Sequence, residues 1–277
     1  MTLLNYLYWD PSKALIPWNL PILDRPLLWY GFLFALGFLL AYGILLILLR
    51  HETAKEVRAN AKKIADNLTF YGILGTVIGA RLFDVLFYEN WNAILRDPWS
   101  VFKVWEGGLA SHGGVFGILI ALALFQKRHR FCSWVHLLDL LVLPAGIIAF
   151  FIRIGNFINQ EILGKPTDMP WAVIFGHPAD GSFPVPRHPV QLYEAFYYLA
   201  VFGILWFFRK RWSSWKEGRL AGLFLVVIFT FRLFIEFFKE EQSWWLYGSS
   251  ATMGQLLSVP LIALGLYLMF RRSTHFT

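Results

Sequence analysis

Seven runs of mostly apolar residues are spaced along the chain, at roughly 29 to 49, 68 to 88, 108 to 126, 137 to 156, 191 to 208, 219 to 238 and 254 to 270. Each approaches the ~20 residues that a helix needs to cross a hydrocarbon core. The pattern predicts an all-α integral membrane protein with seven transmembrane helices. Residues 1 to 28 are interrupted by Pro11, Pro17, Pro21 and Pro26 and hold no apolar core followed by a cleavage site. They read as an N-terminal arm on the outer leaflet, with the first run acting as its own targeting signal. Two outer connections are long, 89 to 107 and 157 to 190. The second holds six of the 13 prolines, which predicts ordered irregular backbone or short helices. Its Trp171, Phe175 and Phe183 favour a folded head at the bilayer surface. No linker, low-complexity tract or solenoid repeat divides the chain, so residues 1–277 read as a single helical membrane domain.

Composition agrees with the pattern. Hydrophobic residues make up 57% of the 277, charged residues 16%, and mean hydropathy is +0.52, outside the balance of a soluble domain. The net charge of +7 raises the question of nucleic acid, which the placement of the cations answers. The connections after the first, third and fifth runs and the tail after the seventh carry fifteen Lys and Arg, the opposite set seven. That asymmetry puts the N-terminus outside and the C-terminus in the cytoplasm, with the long 157–190 loop outside. The basic loops then sit beside anionic headgroups, and no nucleic acid is implied. The single cysteine, Cys132, falls in a cytoplasmic loop where no internal disulfide is possible.

Ionisable groups inside a span raise the insertion free energy by about 2.5 to 3.5 kcal/mol each, so each is a candidate for function. Here they collect near the outer ends of the runs: Arg81 and Asp84 on the second, His112 on the third, Arg153 and Asn156 on the fourth, His188, Gln191, Tyr193 and Glu194 on the fifth, Arg232 and Glu236 on the sixth, and Tyr30 at the head of the first. The inner halves are nearly bare apart from Asp139. Arg81 with Asp84 and Arg232 with Glu236 share helix faces at i,i+3 and i,i+4, and mutual neutralisation explains either pair as well as function does. Arg153 has no acidic residue within a turn before it, and Glu161 follows beyond the helix end. A guanidinium with free donors in a low-dielectric setting suits a phosphate. Gly107, Gly108, Gly113 and Gly114 flank His112 and permit close approach of backbone or ligand. A histidine there is a helix-packing hydrogen bonder or a base. Asn156, Asn159 and Gln160 either cap the fourth helix or orient a headgroup, and Gln191, Tyr193 and Glu194 either tie the long loop to the fifth helix or join the site. An outer-leaflet site for an anionic lipid headgroup is as far as these residues lead.

Five segments, "GGLASHGG", "RIGNFINQE" with "LG" after it, "RHPVQLYE", "FRLFIEFF" and "MGQLLSVP", occur in an order and spacing that resembles bacterial prolipoprotein diacylglyceryl transferase, from about Tyr30 to Pro260. The resemblance implies a seven-span enzyme of the bacterial cytoplasmic membrane, active toward the outer leaflet. It implies phosphatidylglycerol as donor and the lipobox cysteine of a preprolipoprotein signal peptide as acceptor, with membrane lipids around it and no cofactor or metal. By position, it implies catalytic roles for His112, Arg153, Arg232 and Glu236, and phosphatidylglycerol binding by Arg153, Asn156, Tyr30, Glu161 and Gly164. The chain departs from a well-studied member at Ile228, where that member has tyrosine, and at Lys239, where it has arginine. The nucleophile comes with the substrate, so Cys132 on the far side is no obstacle. A lipid or anion transporter would also use buried arginines, but the apolar inner halves oppose a through-path. No G-x-S-x-G elbow supports an intramembrane serine protease, and a structural subunit has no need of three intramembrane arginines.

Overall fold

The computed structural model describes residues 6–20, 25–87, 91–104, 111–129, 132–212, 215–240 and 252–271. The elements run β1 (Leu7–Trp9), β2 (Ala14–Leu20), β3 (Arg25–Leu28), α1 (Trp29–Arg50), α2 (Lys55–Ala59), α3 (Ala61–Phe87), α4 (Trp91–Arg96), a 3-10 turn (Pro98–Phe102), α5 (Ser111–Arg128), α6 (Trp134–Ile158), β4 (Val173–Phe175), β5 (Pro186–Arg187), α7 (Val190–Trp212), α8 (Arg219–Ile235), a second 3-10 turn (Glu236–Phe238) and α9 (Met253–Phe270). Six of the described helices, α1, α3, α6, α7, α8 and α9, are long and apolar enough to cross a membrane. The run expected at 108 to 126 forms α5, which is 18 residues long with Lys127 and Arg128 in its last turn. Large apolar side chains such as Leu39, Phe196, Phe207 and Val259 stand exposed along the helices. Such surfaces are unusual for a soluble monomer and natural against lipid.

The chain groups into two compact units, residues 45–134 and the remainder. In the 45–134 unit, α3 packs on α5 through small residues four apart, Gly75 and Gly79 against Gly113, Gly117 and Ala121. A Cβ on Gly79 would fall 2.6 Å from the Gly117 Cα, and one on Gly75 2.6 Å from the Ala121 Cβ. Bare backbone at those positions lets the two helices touch, the usual means of packing where lipid removes the hydrophobic drive. Phe83 and Phe116 stack at 5.4 Å beside the contact. Arg81 is buried on α3. It donates to Asp84 (3.1 Å), to the Val101 carbonyl (3.0 Å) and to the Ser100 carbonyl (2.7 Å), fixing the first 3-10 turn to the helix.

In the larger unit, the N-terminal arm and the 157–190 loop both hold short strands, where irregular backbone or short helices were expected of the loop. β1 from the arm pairs in parallel with β4, which pairs antiparallel with β5, while β2 and β3 form an antiparallel pair within the arm. The β-branched and aromatic "VIF" of β4 suits a strand, but only the distant arm supplies its neighbour, so no local pattern marks it. Phe175 is fully buried here among Phe157, Leu163 and Val173 with Trp9 packed on them, so it forms the core of the folded loop. Trp171 and Phe183 are exposed. The loop is pinned to the end of α8 by main-chain bonds from Lys165 N to the Phe238 carbonyl (2.8 Å) and from Glu240 N to the Leu163 carbonyl (3.0 Å). Buried Arg187 adds donors to the Gly164 carbonyl (3.1 Å) and to Glu240 (3.0 Å). Asp139, the exception among the bare inner halves, accepts from the main-chain N–H groups of Gly218 (2.6 Å) and Ala221 (2.7 Å). It thereby serves as a cap from another helix for the first turn of α8, whose orphan donors need an acceptor.

Candidate functional site

The sequence that ends α6 builds the site from the backbone up. Gln160 and Ile162 take positive φ values of 56° and 57°, a left-handed conformation that stops the helix. The turn is held because Gln160, almost wholly buried, donates from Nε2 to Asp10 (3.0 Å) and accepts from the His177 main-chain N–H (2.7 Å). His177 also lies 2.7 Å from Asp10 through Nδ1. Bonds from His177 and then Gln160 hold the Asp10 carboxyl below its ordinary pKa. Gln160 therefore ties arm to loop. Gly155 lies where a Cβ would come within 2.7 Å of the Tyr30 ring, so its missing side chain lets Tyr30 lie on α6. The Tyr30 hydroxyl is within electrostatic reach of Asn156, Glu161 and Arg153. Asn156 Nδ2 donates to Glu161 (2.7 Å), and the Glu161 carbonyl accepts from fully buried Gln191 (2.8 Å).

Arg153 is not the unpaired cation that its local sequence suggests. Its Nε lies 3.0 Å from Glu194 on α7, and its Nη1 donates to Asn156 (2.9 Å). The partner comes from 41 positions away and is invisible to any reading of one helix. Glu194 is fully buried and forms the hub: its Oε1 also accepts from Lys239 (2.9 Å) and from Tyr198 (3.3 Å). Of the three residues assigned either to the loop or to the site, Gln191 holds the loop through Glu161 and Tyr193 through Trp171 (2.7 Å), while Glu194 serves the cluster. Lys239, noted only as a departure, is buried and bridges Glu194 to Glu236 (3.2 Å).

Arg232 borders this network without being closed into it. Its Nε forms an ion pair with Glu236 Oε1 at 3.7 Å, too far for a hydrogen bond, and this Nε has no hydrogen-bond partner. The side chain is 31% exposed, so donors remain for an incoming group. Glu236 is taken up elsewhere, by Lys239 on Oε1 and by the Thr252 hydroxyl on Oε2 (3.1 Å). Gly164 lies where a Cβ would strike the His188 backbone, so its smallness serves the approach of two loop strands.

The larger unit thus brings together Tyr30, Arg153, Asn156, Glu161, Arg232 and Glu236, with Gly164 in the adjoining loop. Arg81 and Asp84 belong to the other unit and pair there. His112 lies in the first turn of α5, but its side chain, like Gly107 and Gly108, is outside the described residues. Gly113, on its other side, meets Phe83 and the Gly79 carbonyl, so that glycine serves backbone approach. Glu194, Lys239 and Thr252 are the site residues that sequence reasoning undervalued. A buried acid on a neighbouring run was the available signal for the first.

Residues 17–271 match the family described as prolipoprotein diacylglyceryl transferase. The chain is 41% identical to the phosphatidylglycerol–prolipoprotein diacylglyceryl transferase of Tolumonas auensis, over 95% of this chain and 96% of that one. It is 39% identical to that of Porphyromonas gingivalis, over 98% and 96%, and 33% identical to that of Protochlamydia amoebophila, over 97% and 96%.

Proposed function

The chain belongs to the prolipoprotein diacylglyceryl transferase family, and from that premise we propose how its buried polar cluster serves the reaction. The protein is a multi-pass membrane transferase. It moves the diacylglyceryl group of phosphatidylglycerol to the thiol of a lipobox cysteine in a preprolipoprotein, making a thioether and releasing glycerol phosphate, the first step of lipoprotein maturation. In our reading one membrane domain crosses the bacterial inner membrane seven times, α5 being the additional crossing. The N-terminus is outside, the C-terminus is cytoplasmic, and the site opens toward the outer leaflet, in keeping with the charge asymmetry of the connections.

Arg232 receives the phosphodiester, and the observation that carries this assignment is a part-exposed guanidinium, ion-paired to Glu236 without a hydrogen bond from Nε, in a cluster where Arg153 and Lys239 are hydrogen-bonded. Arg153, held by Glu194 and Asn156, adds fixed positive charge where the leaving phosphate gains negative charge, at no reorganisation cost during the reaction. Asn156, Glu161, Tyr30 and Gly164 shape the headgroup end. The substrate thiol, near pKa 8.5 when free, is mostly protonated at neutral pH. His112 accepts its proton. The sulfur then forms its bond to the diacylglyceryl carbon as the bond from that carbon to the phosphate oxygen breaks, and the electron pair leaves with glycerol phosphate.

Purified protein, phosphatidylglycerol and a lipobox peptide, followed by mass spectrometry, test the reading. The peptide gains one diacylglyceryl group and glycerol phosphate appears in equal amount. His112→Gln abolishes turnover while keeping lipid binding, and full turnover by that variant removes its role as base. Arg153→Ala lowers turnover far more than donor affinity, and unchanged turnover refutes that part.

A further inference from the structure

We propose that Thr252 is a positioning residue for the donor phosphate: its hydroxyl holds Glu236 beyond hydrogen-bond reach of Arg232 and so leaves the donors of that guanidinium to the lipid. The inference rests on the assignment of Arg232 to the phosphodiester. An arginine followed four residues later by a glutamate on one helix face ordinarily closes into an ion pair, and a closed pair would have to be broken by each arriving lipid. In this chain the two remain an ion pair, but at 3.7 Å and with no hydrogen bond from the guanidinium Nε. The reason lies in what holds the carboxylate. Oε1 accepts from Lys239 (3.2 Å) and Oε2 accepts from Thr252 Oγ1 (3.1 Å), so both oxygens are anchored from outside the pair. Glu236 remains close enough to stabilise the charge on Arg232 without occupying its donors.

The threonine is fixed by a second bond that leaves its proton no other use. Thr252 is the N-cap of α9, and its oxygen accepts from Gln255 N (3.2 Å) while the Gln255 side chain accepts from Thr252 N (3.1 Å), a reciprocal capping box. With its lone pair directed at the helix, the O–H points to Glu236. Gly254 adjoins the same carboxylate, and a Cβ there would collide with it. The start of α9 is thus shaped around Glu236 by a hydroxyl on one residue and a missing side chain two residues on.

Equilibrium binding of a fluorescent phosphatidylglycerol to the purified protein in detergent, with thermal melting of each variant, separates positioning from capping. Arg232→Gln sets the reference: if it binds as tightly as the unaltered protein, the phosphate assignment fails, and this inference with it. Given weakened binding there, Thr252→Val is expected to weaken the lipid about tenfold, the effect of a competing internal pair worth one decade in affinity. Thr252→Ser, which keeps the hydroxyl, restores it. Thr252→Gly removes the hydroxyl, and glycine is tolerated at an N-cap. It melts close to the unaltered protein and still binds about tenfold more weakly. Unaltered lipid affinity in Thr252→Val or Thr252→Gly overturns the proposal while leaving Arg232 in place.

Discussion

Two intramembrane arginines, Arg81 and Arg232, look alike in the sequence, since each precedes an acid on its own helix face. Their surroundings make them opposites. Arg81 gives donors to Asp84 and to the carbonyls of Ser100 and Val101, so its fork is used to hold a turn on α3. Arg232 is ion-paired at 3.7 Å to a carboxylate already hydrogen-bonded by Lys239 and Thr252, and its Nε makes no hydrogen bond. An intramembrane ion pair becomes structural when backbone carbonyls complete the cation, and available when a third group occupies the acid.

This contrast is most severely tested at Arg81. Arg81→Gln takes its cation from part-buried Asp84 and the donors from two carbonyls, and breaking a buried pair costs about 3–5 kcal/mol. Thermal melting is expected to fall steeply while lipid affinity per folded molecule holds, and a variant that melts normally but loses lipid would erase the distinction. The converse change, Arg232→Gln, is expected to lower phosphatidylglycerol affinity about a hundredfold, or about 2.7 kcal/mol, with little change in melting. Equal losses of stability and affinity would make Arg232 as structural as Arg81. The smallest effect belongs to the arm. The Asp10 carboxyl titrates lower in the folded protein because of His177 and Gln160. Its contribution is therefore present above the unfolded pKa of about 3.9 and is lost as pH falls through the lower folded value. Limited proteolysis should show the arm released in acid, and Asp10→Asn should show that release already at neutral pH. Identical digestion of the two proteins across this range would remove the clamp.

How much was legible differs from residue to residue. The helices were, because lipid demands long apolar stretches whatever their neighbours, and so was the gathering of polar groups at one end of those runs. The pairing of Arg153 with Glu194 was not, because charge complementarity between helices leaves no periodic trace in either. The strand at Val173–Phe175 was missed for a similar reason: its parallel partner is Leu7–Trp9, at the other end of a long chain segment. The glycines after His112 were read for either backbone or ligand, and only their facing surface on α3 decides for backbone at Gly113.

Composition and order of residues alone determined that this chain enters a membrane, which connections carry its orientation charges and which short segments hold its unusual polar groups. These follow from the transfer free energy of each residue, which is a local property. Tertiary structure decided which cation is satisfied and which is left open, that Glu194 is the hub, and that the hydroxyl at the head of α9 restrains Glu236. Hydrogen bonds act over about 3 Å and in chosen directions, so their partners are set by where separate helices come to rest.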